Sequence, residues 1–248
     1  MRGHFVNNRN RYSAVVFDLD GVLIDSEPIH LKSAQLMLVR RGIRLTPEQA
    51  VQQTGITIHK FLEKIVNEWG FPGPKEGEDW VAEKRVTFRE MAKTELQPVA
   101  GADELLRALR SKIKIGLASS SPRPYIEWTT QMFGWERLFD AICTIEDVAH
   151  PKPDPQMYRL IVGRLGVEKN AVLVFEDSPA GIEAAVAAGL DCAGVGTSYS
   201  SKALLAVGAK WFIRDFTDRA TLSVLLGDSL FGKHRHPRDT GAAAPLAD

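Results

Sequence analysis

The sequence has few cysteines and no excess of charge of either sign. Its 248 residues include two cysteines, Cys143 and Cys192, and lysine plus arginine equal aspartate plus glutamate at 31 each. Two cysteines without metal-ligand spacing indicate buried, reduced thiols rather than a disulfide framework. A net charge of zero gives no overall field that would attract nucleic acid or an anionic membrane, so any anionic ligand has to be bound by local groups.

Long hydrophobic runs and internal repeats are also lacking. No apolar run approaches the length of a membrane span, and the opening MRGHFVNNRNRY has charge but no apolar signal segment. We therefore expect a cytoplasmic monomer without a membrane or nucleic-acid partner. Residues 1–13 are predicted to be an N-terminal extension, and the polar residues 228–248 a disordered tail.

Short apolar runs alternate with amphipathic stretches between residues 99 and 227. The runs IKIGLA, AICTI and AVLVF precede YIEWTTQMF, MYRLIVGRL and GIEAAVAAG, respectively. This alternation is typical of βαβ units around a parallel sheet. The run at residues 14–18 resembles the other apolar runs. The sequence therefore predicts an α/β fold with a Rossmann-like, doubly wound parallel sheet.

A helical insert separates the first predicted strand from the second. Apolar residues share one helix face before Gly42, again before Gly70, and in a third segment at Trp80–Ala92. We therefore predict an all-α cap domain at residues 28–97, with the α/β core formed by residues 14–27 and 98–227. The alternative is that these helices only cover one face of the sheet.

Asp18 and Asp20 follow the first predicted strand in the motif DLDG. Side chains two residues apart on an extended chain point the same way, so both carboxylates could converge on one ligand. Two like charges held that close need a cation or a shared proton. The alternative is an ordinary turn, because Asp followed by Gly is common turn chemistry.

Other predicted strands bring polar side chains to the same edge. Ser119 ends the second strand, Lys152 lies in the loop after the third, and Glu176 and Asp177 end the fourth. Ligands of open parallel sheets bind at the carboxyl ends of the strands. Taken singly, the serine or Asp177 could cap a helix and Lys152 could be solvated. Taken together, these residues predict one functional site.

The predicted cofactor of this site is Mg²⁺, which prefers oxygen ligands and usually keeps water and a substrate phosphate oxygen. Asp18, Asp20 and Asp177 are its predicted protein ligands. Lys152 and Ser119 would then hold the remaining phosphoryl oxygens and offset their repulsion with Asp18. The residues therefore predict a phosphoryl-transfer site.

Four motifs resemble those of the haloacid dehalogenase superfamily in order and spacing over about residues 14–200: DLDGVLIDSEPIH, LASSS, PKPDPQMY and VFEDSPAGIEAAVAAG. The helical insert is similar to a C1 cap, as in the group of β-phosphoglucomutase and small sugar-phosphate phosphatases. The resemblance implies a Mg²⁺-dependent phosphoric monoester hydrolase that acts on a small phosphate ester. Gln156 and Pro151 depart mildly from the family pattern, where an acidic residue and a glycine are frequent.

The resemblance also implies roles for individual residues. Asp18 would be the nucleophile that forms an aspartyl phosphate, and Asp20 the general acid and then the general base. The metal would be bound by the main-chain carbonyl of Asp20, and by Glu176 directly or through water. Ser120, beside Ser119, is a candidate for binding substrate.

Polar residues of the cap have two interpretations. His30 lies where relatives often carry a histidine near the cap linker, so it is a second candidate for binding substrate; it is equally an ordinary exposed helix residue. Lys84, Arg85 and Arg89 could face the substrate, but charges opposite an apolar stripe are usually solvated. We therefore expect the solvated arrangement for these three residues.

Two other functions remain open. A sugar phosphomutase of the β-phosphoglucomutase type would resemble this chain, but such enzymes have an arginine three residues after the glycine of TGITIHKF. This chain has Ile58 there, with His59 and Lys60 as neighbouring substitutes. A phosphorylatable signalling domain also places an aspartate, a hydroxyl and a lysine at strand ends. The inserted cap and the second acid argue against that alternative.

Overall fold

The computed structural model describes residues 11–227 apart from residues 54, 55 and 57. The predicted tail and the first ten residues of the predicted N-terminal extension lie outside this range. Tyr12, which belongs to that extension, packs into the core, and its hydroxyl donates to Asp191 Oδ2 at 2.6 Å.

The strands of the described chain form one parallel sheet in the order β3-β2-β1-β4-β5-β6. Each residue of β1 and β4 is buried, which explains why these strands read as continuous apolar runs. Phe17 at the end of β1 lies opposite Leu117 on one side and Phe175 on the other, so the carboxyl ends of the three strands are level. The bounds are β1 Ala14–Phe17, β2 Lys114–Ala118, β3 Ala141–Cys143, β4 Val172–Glu176, β5 Asp191–Val195 and β6 Trp211–Ile213.

The segment between β1 and β2 is helical. Its helices are α1 Glu27–Val39, α2 Pro47–Val51, α3 Ile58–Glu63, which continues as a π-helical turn at Lys64–Glu68, and α4 Trp80–Glu95. Met37, Phe61 and Trp80 belong to an apolar cluster within this insert, whereas Phe88 and Ala92 of α4 pack against the core of the sheet. The insert therefore has a small core of its own and also packs apolar side chains against the α/β unit.

The chain enters and leaves the insert along neighbouring paths. Ile24 forms an antiparallel bridge with Pro98, and the Asp25 NH donates to the Gln97 carbonyl at 3.0 Å. The two connections between core and insert are therefore hydrogen-bonded to each other as a short stem.

Helices cover both faces of the sheet. They are α5 Ala102–Leu109, α6 Arg123–Met132, α7 Gln156–Leu165, α8 Pro179–Ala187, α9 Ser201–Ala206 and α10 Arg219–Leu226. Residues of α5, α6 and α10 pack in the apolar cluster on one face, and residues of α7, α8 and α9 pack in the cluster on the other. This layering is the doubly wound arrangement.

The predicted fold class, a Rossmann-like α/β core with an inserted all-α cap, is confirmed. The boundaries proposed for the cap and the core stay predictions. Both cysteines are buried and free, as the sequence indicates. Among the described helices, none has the length and apolar character needed to cross a membrane.

Candidate active site

The turn after β1 lets two loops approach closely. The Asp18 NH still donates to the Phe175 carbonyl at 3.1 Å, as if the strand continued, and the chain then turns at Gly21 with φ of 77°. A Cβ on Gly21 would lie 2.0 Å from Asp177 Oδ2. Glycine is required here both by the positive φ and by this approach. The DLDG turn therefore brings the ends of β1 and β4 together.

Lys152 links the ends of these two strands. Its side chain is 6% exposed, and Nζ lies 2.6 Å from Asp18 Oδ1 and 2.7 Å from Glu176 Oε1. Nζ also donates to the Ala118 carbonyl at 3.1 Å. Burial alone would lower the pKa of Lys152, but the charges and hydrogen bonds of the two carboxylates raise it above its ordinary value. The site therefore holds a fixed positive charge beside Asp18.

Glu176 anchors Lys152 and is surrounded by other donors. The Tyr158 hydroxyl donates to Oε1 at 3.1 Å, and the NH and hydroxyl of Ser178 donate to Oε2 at 3.0 Å each. A Cβ on Gly181 would lie 1.7 Å from Oε1, so glycine makes room for the carboxylate. Both oxygens of Glu176 therefore contact protein donors. Its binding of a metal, directly or through water, stays a prediction.

Asp18 and Asp177 are buried with more negative than positive charge around them. Burial, opposed by the Lys152 charge and supported by the Glu176 charge, raises the pKa of Asp18 to about 7. Burial raises the pKa of Asp177 well above its ordinary value, as do the charges of Glu176 and Asp18. The Ser198 hydroxyl donates to Asp177 Oδ2.

This donor set fits a hard divalent cation. Asp177 forms no ion pair within the described chain, and no main-chain NH of that part donates to the Asp20 carbonyl. No three side chains of His, Cys, Asp or Glu in residues 11–227, leaving out the three undescribed positions, could hold a metal by themselves. A cation would need oxygens from the main chain, water or substrate as further ligands, which is usual for Mg²⁺.

Asp20 is held by hydroxyl groups and not by the lysine. Ser26 and Tyr125 donate to Oδ1 at 2.7 and 2.9 Å, and Ser121 donates to Oδ2 at 2.7 Å. These contacts favour the main-chain carbonyl of Asp20, and not its carboxylate, as the predicted metal ligand. The carboxylate is placed for a different role.

The two predicted serines have different environments. Ser119 is buried at the end of β2, and its Oγ accepts from the Ser121 NH at 3.0 Å. Its hydroxyl proton can still be donated to an anion. Ser120 is exposed, and its role in binding substrate stays a prediction.

A cavity of about 740 Å³ lies between the insert and the α/β unit. Ser121 and Tyr125, which both bind Asp20, line its core side, and His30, Lys84 and Phe88 line its cap side. This volume is in the range of small-molecule sites. Asp20 therefore stands between the buried Lys152 site and a space large enough for a small metabolite.

The family model of the haloacid dehalogenase-like hydrolases matches residues 12–189. The chain belongs to this family. A validoxylamine A 7′-phosphate phosphatase of Streptomyces hygroscopicus subsp. limoneus is 32% identical over 211 residues, which cover 84% of this chain and 95% of that protein. A phosphorylated carbohydrates phosphatase of Thermotoga maritima is 33% identical over 201 residues, with coverage of 79% and 91%.

A solved structure from Thermotoga maritima, provisionally named a β-phosphoglucomutase, superimposes with a TM-score of 0.75 at 29% identity. The match covers 86% of this chain and 100% of that chain. The predicted superfamily and group are therefore confirmed. The prediction of a phosphoric monoester hydrolase is confirmed by the match to the hydrolase family and by the relatives that are phosphatases.

In this haloacid dehalogenase-like hydrolase, the expectation that Lys84 is solvated is wrong. Lys84 is 8% exposed, and its Nζ contacts Nδ1 of His30, whose ring stacks on Phe88 with centroids 4.1 Å apart. Trp80, Lys84 and Phe88 are spaced by four residues, so the lysine lies within the buried stripe of α4. Arg85 is exposed, as expected, but lines the cavity.

The two cap side chains have strongly shifted pKa values. Burial lowers the pKa of Lys84 to about 8, and the Arg85 charge also lowers it, against the charges of Glu27 and Asp20. Burial and, after it, the Lys84 charge together lower the pKa of His30 to about 4, against the charge of Asp20. His30 is therefore neutral at pH 7 and lines the cavity, but its binding of substrate stays a prediction.

Replacing Lys84 with methionine is expected to stabilise the fold at neutral pH. The pKa of Lys84 falls from 10.5 to about 8 on folding, so a charged Lys84 costs stability, by roughly 1 to 3 kcal/mol. Because the folded pKa is the lower one, this cost is full below pH 8 and disappears as pH rises to about 10.5. The advantage of Lys84→Met in free energy of unfolding should therefore shrink between pH 7 and pH 9.5.

Urea unfolding followed by circular dichroism at both pH values measures this effect. Lys93→Met is the control, since Lys93 is on the same helix but exposed and paired with Glu90 at 2.8 Å. A Lys84→Met advantage that is absent at pH 7, or equal at the two pH values, would contradict the assigned burial of the charge.

The sequence did not lead to the serine and tyrosine side chains that form hydrogen bonds with the predicted site residues. Ser26 and Ser121 lie within or beside the motifs, so their position was a usable signal. Tyr158 is the last residue of the motif PKPDPQMY, so its position was a usable signal as well. Tyr125 lies on an amphipathic helix, where no local pattern separates a tyrosine that binds a carboxylate from one that only packs. Its role follows from the placement of α6 over the sheet edge.

Proposed function

We propose that this hydrolase is a Mg²⁺-dependent phosphatase that hydrolyses a small phosphorylated metabolite, such as a sugar phosphate, through an aspartyl phosphate on Asp18. The observation that carries the proposal is the position of Lys152, with Nζ 2.6 Å from Asp18 and 2.7 Å from Glu176. This fixed cation lies where an anionic phosphoryl group would otherwise be repelled by Asp18. Asp20 lies apart from it, beside the cavity.

The proposed reaction has two steps. In the first, Asp18 attacks the phosphorus while Asp20 gives a proton to the leaving alcohol oxygen. In the second, Asp20 takes a proton from water, which attacks the phosphorus and releases inorganic phosphate and Asp18. Lys152 and Ser119 bind the phosphoryl oxygens throughout.

Mg²⁺ is proposed as the cofactor because the family generally depends on it and because buried carboxylates outnumber cations at the site. Asp18, Asp177 and the Asp20 carbonyl would hold it. When bound, it would offset negative charge on the attacking carboxylate and on the phosphoryl group. A cytoplasmic location and a monomeric state stay predictions based on composition.

A phosphomutase is the second candidate, favoured by the name of the Thermotoga maritima structure. Ile58, the first residue of α3, lines the cavity at the position of the mutase arginine. An aliphatic side chain cannot give the bidentate contacts that would hold a bisphosphate while it turns around. His59 and Lys60 are exposed and are not part of the cavity lining. Water is therefore expected to hydrolyse the aspartyl phosphate.

The test is to assay purified protein with Mg²⁺ on a panel of sugar phosphates for release of inorganic phosphate. A parallel reaction contains β-glucose 1-phosphate with catalytic glucose 1,6-bisphosphate and is followed for both phosphate and glucose 6-phosphate. We expect phosphate release from at least one ester and no isomerisation. Rapid formation of glucose 6-phosphate without phosphate release would contradict the phosphatase proposal and support the mutase.

A further inference from the structure

The carboxylate of Asp20 accepts hydrogen bonds from three parts of the chain. Ser26 precedes α1, Ser121 follows β2, and Tyr125 is in the first turn of α6. We propose that Tyr125 is a positioning residue for the general acid: with Ser26 it occupies Oδ1 of Asp20, and this leaves Oδ2 as the oxygen that gives its proton to the leaving group. The inference rests on the proposed function, in which Asp20 is that acid.

The number of acceptor positions supports this assignment. Each carboxylate oxygen has two lone pairs. Oδ1 accepts from both Ser26 Oγ and Tyr125 OH, at 2.7 and 2.9 Å, so its acceptor capacity is used. Within the described residues Oδ2 accepts from Ser121 Oγ alone, at 2.7 Å, and keeps one position for a proton.

Tyr125 is suited to fix the orientation of this group. Its ring centroid lies 5.9 Å from that of Phe88 in the cap and 6.1 Å from that of Trp128 in α6. A serine hydroxyl can rotate to another acceptor, whereas the phenol oxygen is placed by a ring that packs against two other aromatic rings. A half-turn of the carboxyl group would exchange the two oxygens, and the paired donors at Oδ1 oppose it.

Three changes occur together in the first step. The bond between Asp18 and phosphorus forms, the ester bond breaks, and the proton on Oδ2 moves to the departing oxygen. Asp20 remains as a carboxylate, which the three hydroxyl donors stabilise. An ester that releases p-nitrophenolate needs no such proton, because that anion is already stable. Its first step should not depend on where Oδ2 points.

The experiment compares kcat/KM for benzyl phosphate and p-nitrophenyl phosphate in wild type and Tyr125→Phe. These esters have rings of similar size but leaving groups of very different basicity. We expect about a tenfold loss for benzyl phosphate and less than about a twofold loss for p-nitrophenyl phosphate. The ratio kcat/KM is used because it reports the steps up to departure of the leaving group, before water attacks.

Tyr12→Phe is the matched control. It also removes a tyrosine hydroxyl that donates to an aspartate, Asp191, at 2.6 Å, but this pair lies at the start of β5, at the opposite end of the strands from the site. Its kcat/KM should match wild type for both esters. Ser26→Ala removes the other donor to Oδ1 and should give the same selective loss as Tyr125→Phe, which also covers the case in which that variant does not fold.

Equal losses with the two esters would overturn the proposal, because they would indicate a structural or binding role for Tyr125. No loss, or a gain, with benzyl phosphate would overturn it as well. These results differ from a failure of the proposed function, in which the wild-type protein would form no phosphoenzyme on Asp18 from p-nitrophenyl phosphate.

Discussion

Replacing Asp18 with asparagine is expected to lower kcat by about a thousandfold or more and to prevent phosphoenzyme formation. An amide oxygen carries no negative charge and is a far weaker nucleophile than a carboxylate oxygen. Wild-type and variant reactions with ³²P-labelled substrate are quenched with acid, and peptide mass spectrometry identifies the residue that carries the label. Label on any residue other than Asp18 would contradict the assignment.

The variant Asp20→Asn should fail differently. Asparagine can still accept hydrogen bonds from Ser26 and Tyr125, but it can neither protonate a leaving group nor activate water. With p-nitrophenyl phosphate we expect a burst of p-nitrophenol and a phosphoenzyme that decays slowly. Asp25→Asn is the control, because Asp25 is exposed in the same segment and should behave as wild type.

Removal of divalent metal should lower kcat about as strongly as Asp18→Asn does. Dialysis against EDTA is expected to abolish phosphate release, and added Mg²⁺ to restore it, because Lys152 pairs with Asp18 and Glu176 and leaves the buried Asp177 without an ion pair in the described part of the chain. Full turnover in EDTA would contradict the metal site.

Asp177→Asn tests which residue holds the metal. It should raise the Mg²⁺ concentration needed for half-maximal activity by about a hundredfold, since a charged ligand becomes neutral. Thermal stability without metal should not fall, because the substitution relieves repulsion from Asp18 and Glu176 while keeping an acceptor for Ser198. Glu183→Gln, an exposed change on α8, is the control. An unchanged Mg²⁺ requirement in Asp177→Asn would exclude that residue as a ligand.

The core of the fold and the charged residues of the site could be predicted because each depends on a short, local signal. A strand buried on both faces reads as an apolar run, and the residue after such a run is placed at the carboxyl edge. Asp18, Lys152 and Glu176 meet there as expected. By contrast, β6 is only WFI between Lys210 and Arg214, an apolar run too short to identify as a strand.

The cap side could not be predicted as well because burial there depends on how two units face each other. A lysine in an amphipathic helix gives the same local pattern whether its face meets solvent or a second domain. The contact of Lys84 with His30 brings together residues 54 positions apart. Likewise Tyr125 and Asp20 are 105 positions apart, and no spacing rule connects them.

The short stem between core and insert has a consequence for how this architecture can diversify. Because Ile24 is bridged to Pro98 and Asp25 to Gln97, the two ends of the insert are about 5 Å apart, the spacing of paired strands. A segment of different length or sequence with similarly close ends could replace residues 28–95 without moving β1 or Lys152, provided that it keeps an aromatic ring against Tyr125 as Phe88 does. Mutations in the insert can therefore change which ester is accepted while the phosphoryl chemistry is inherited intact, so substrate preference and catalysis can evolve on separate parts of one chain.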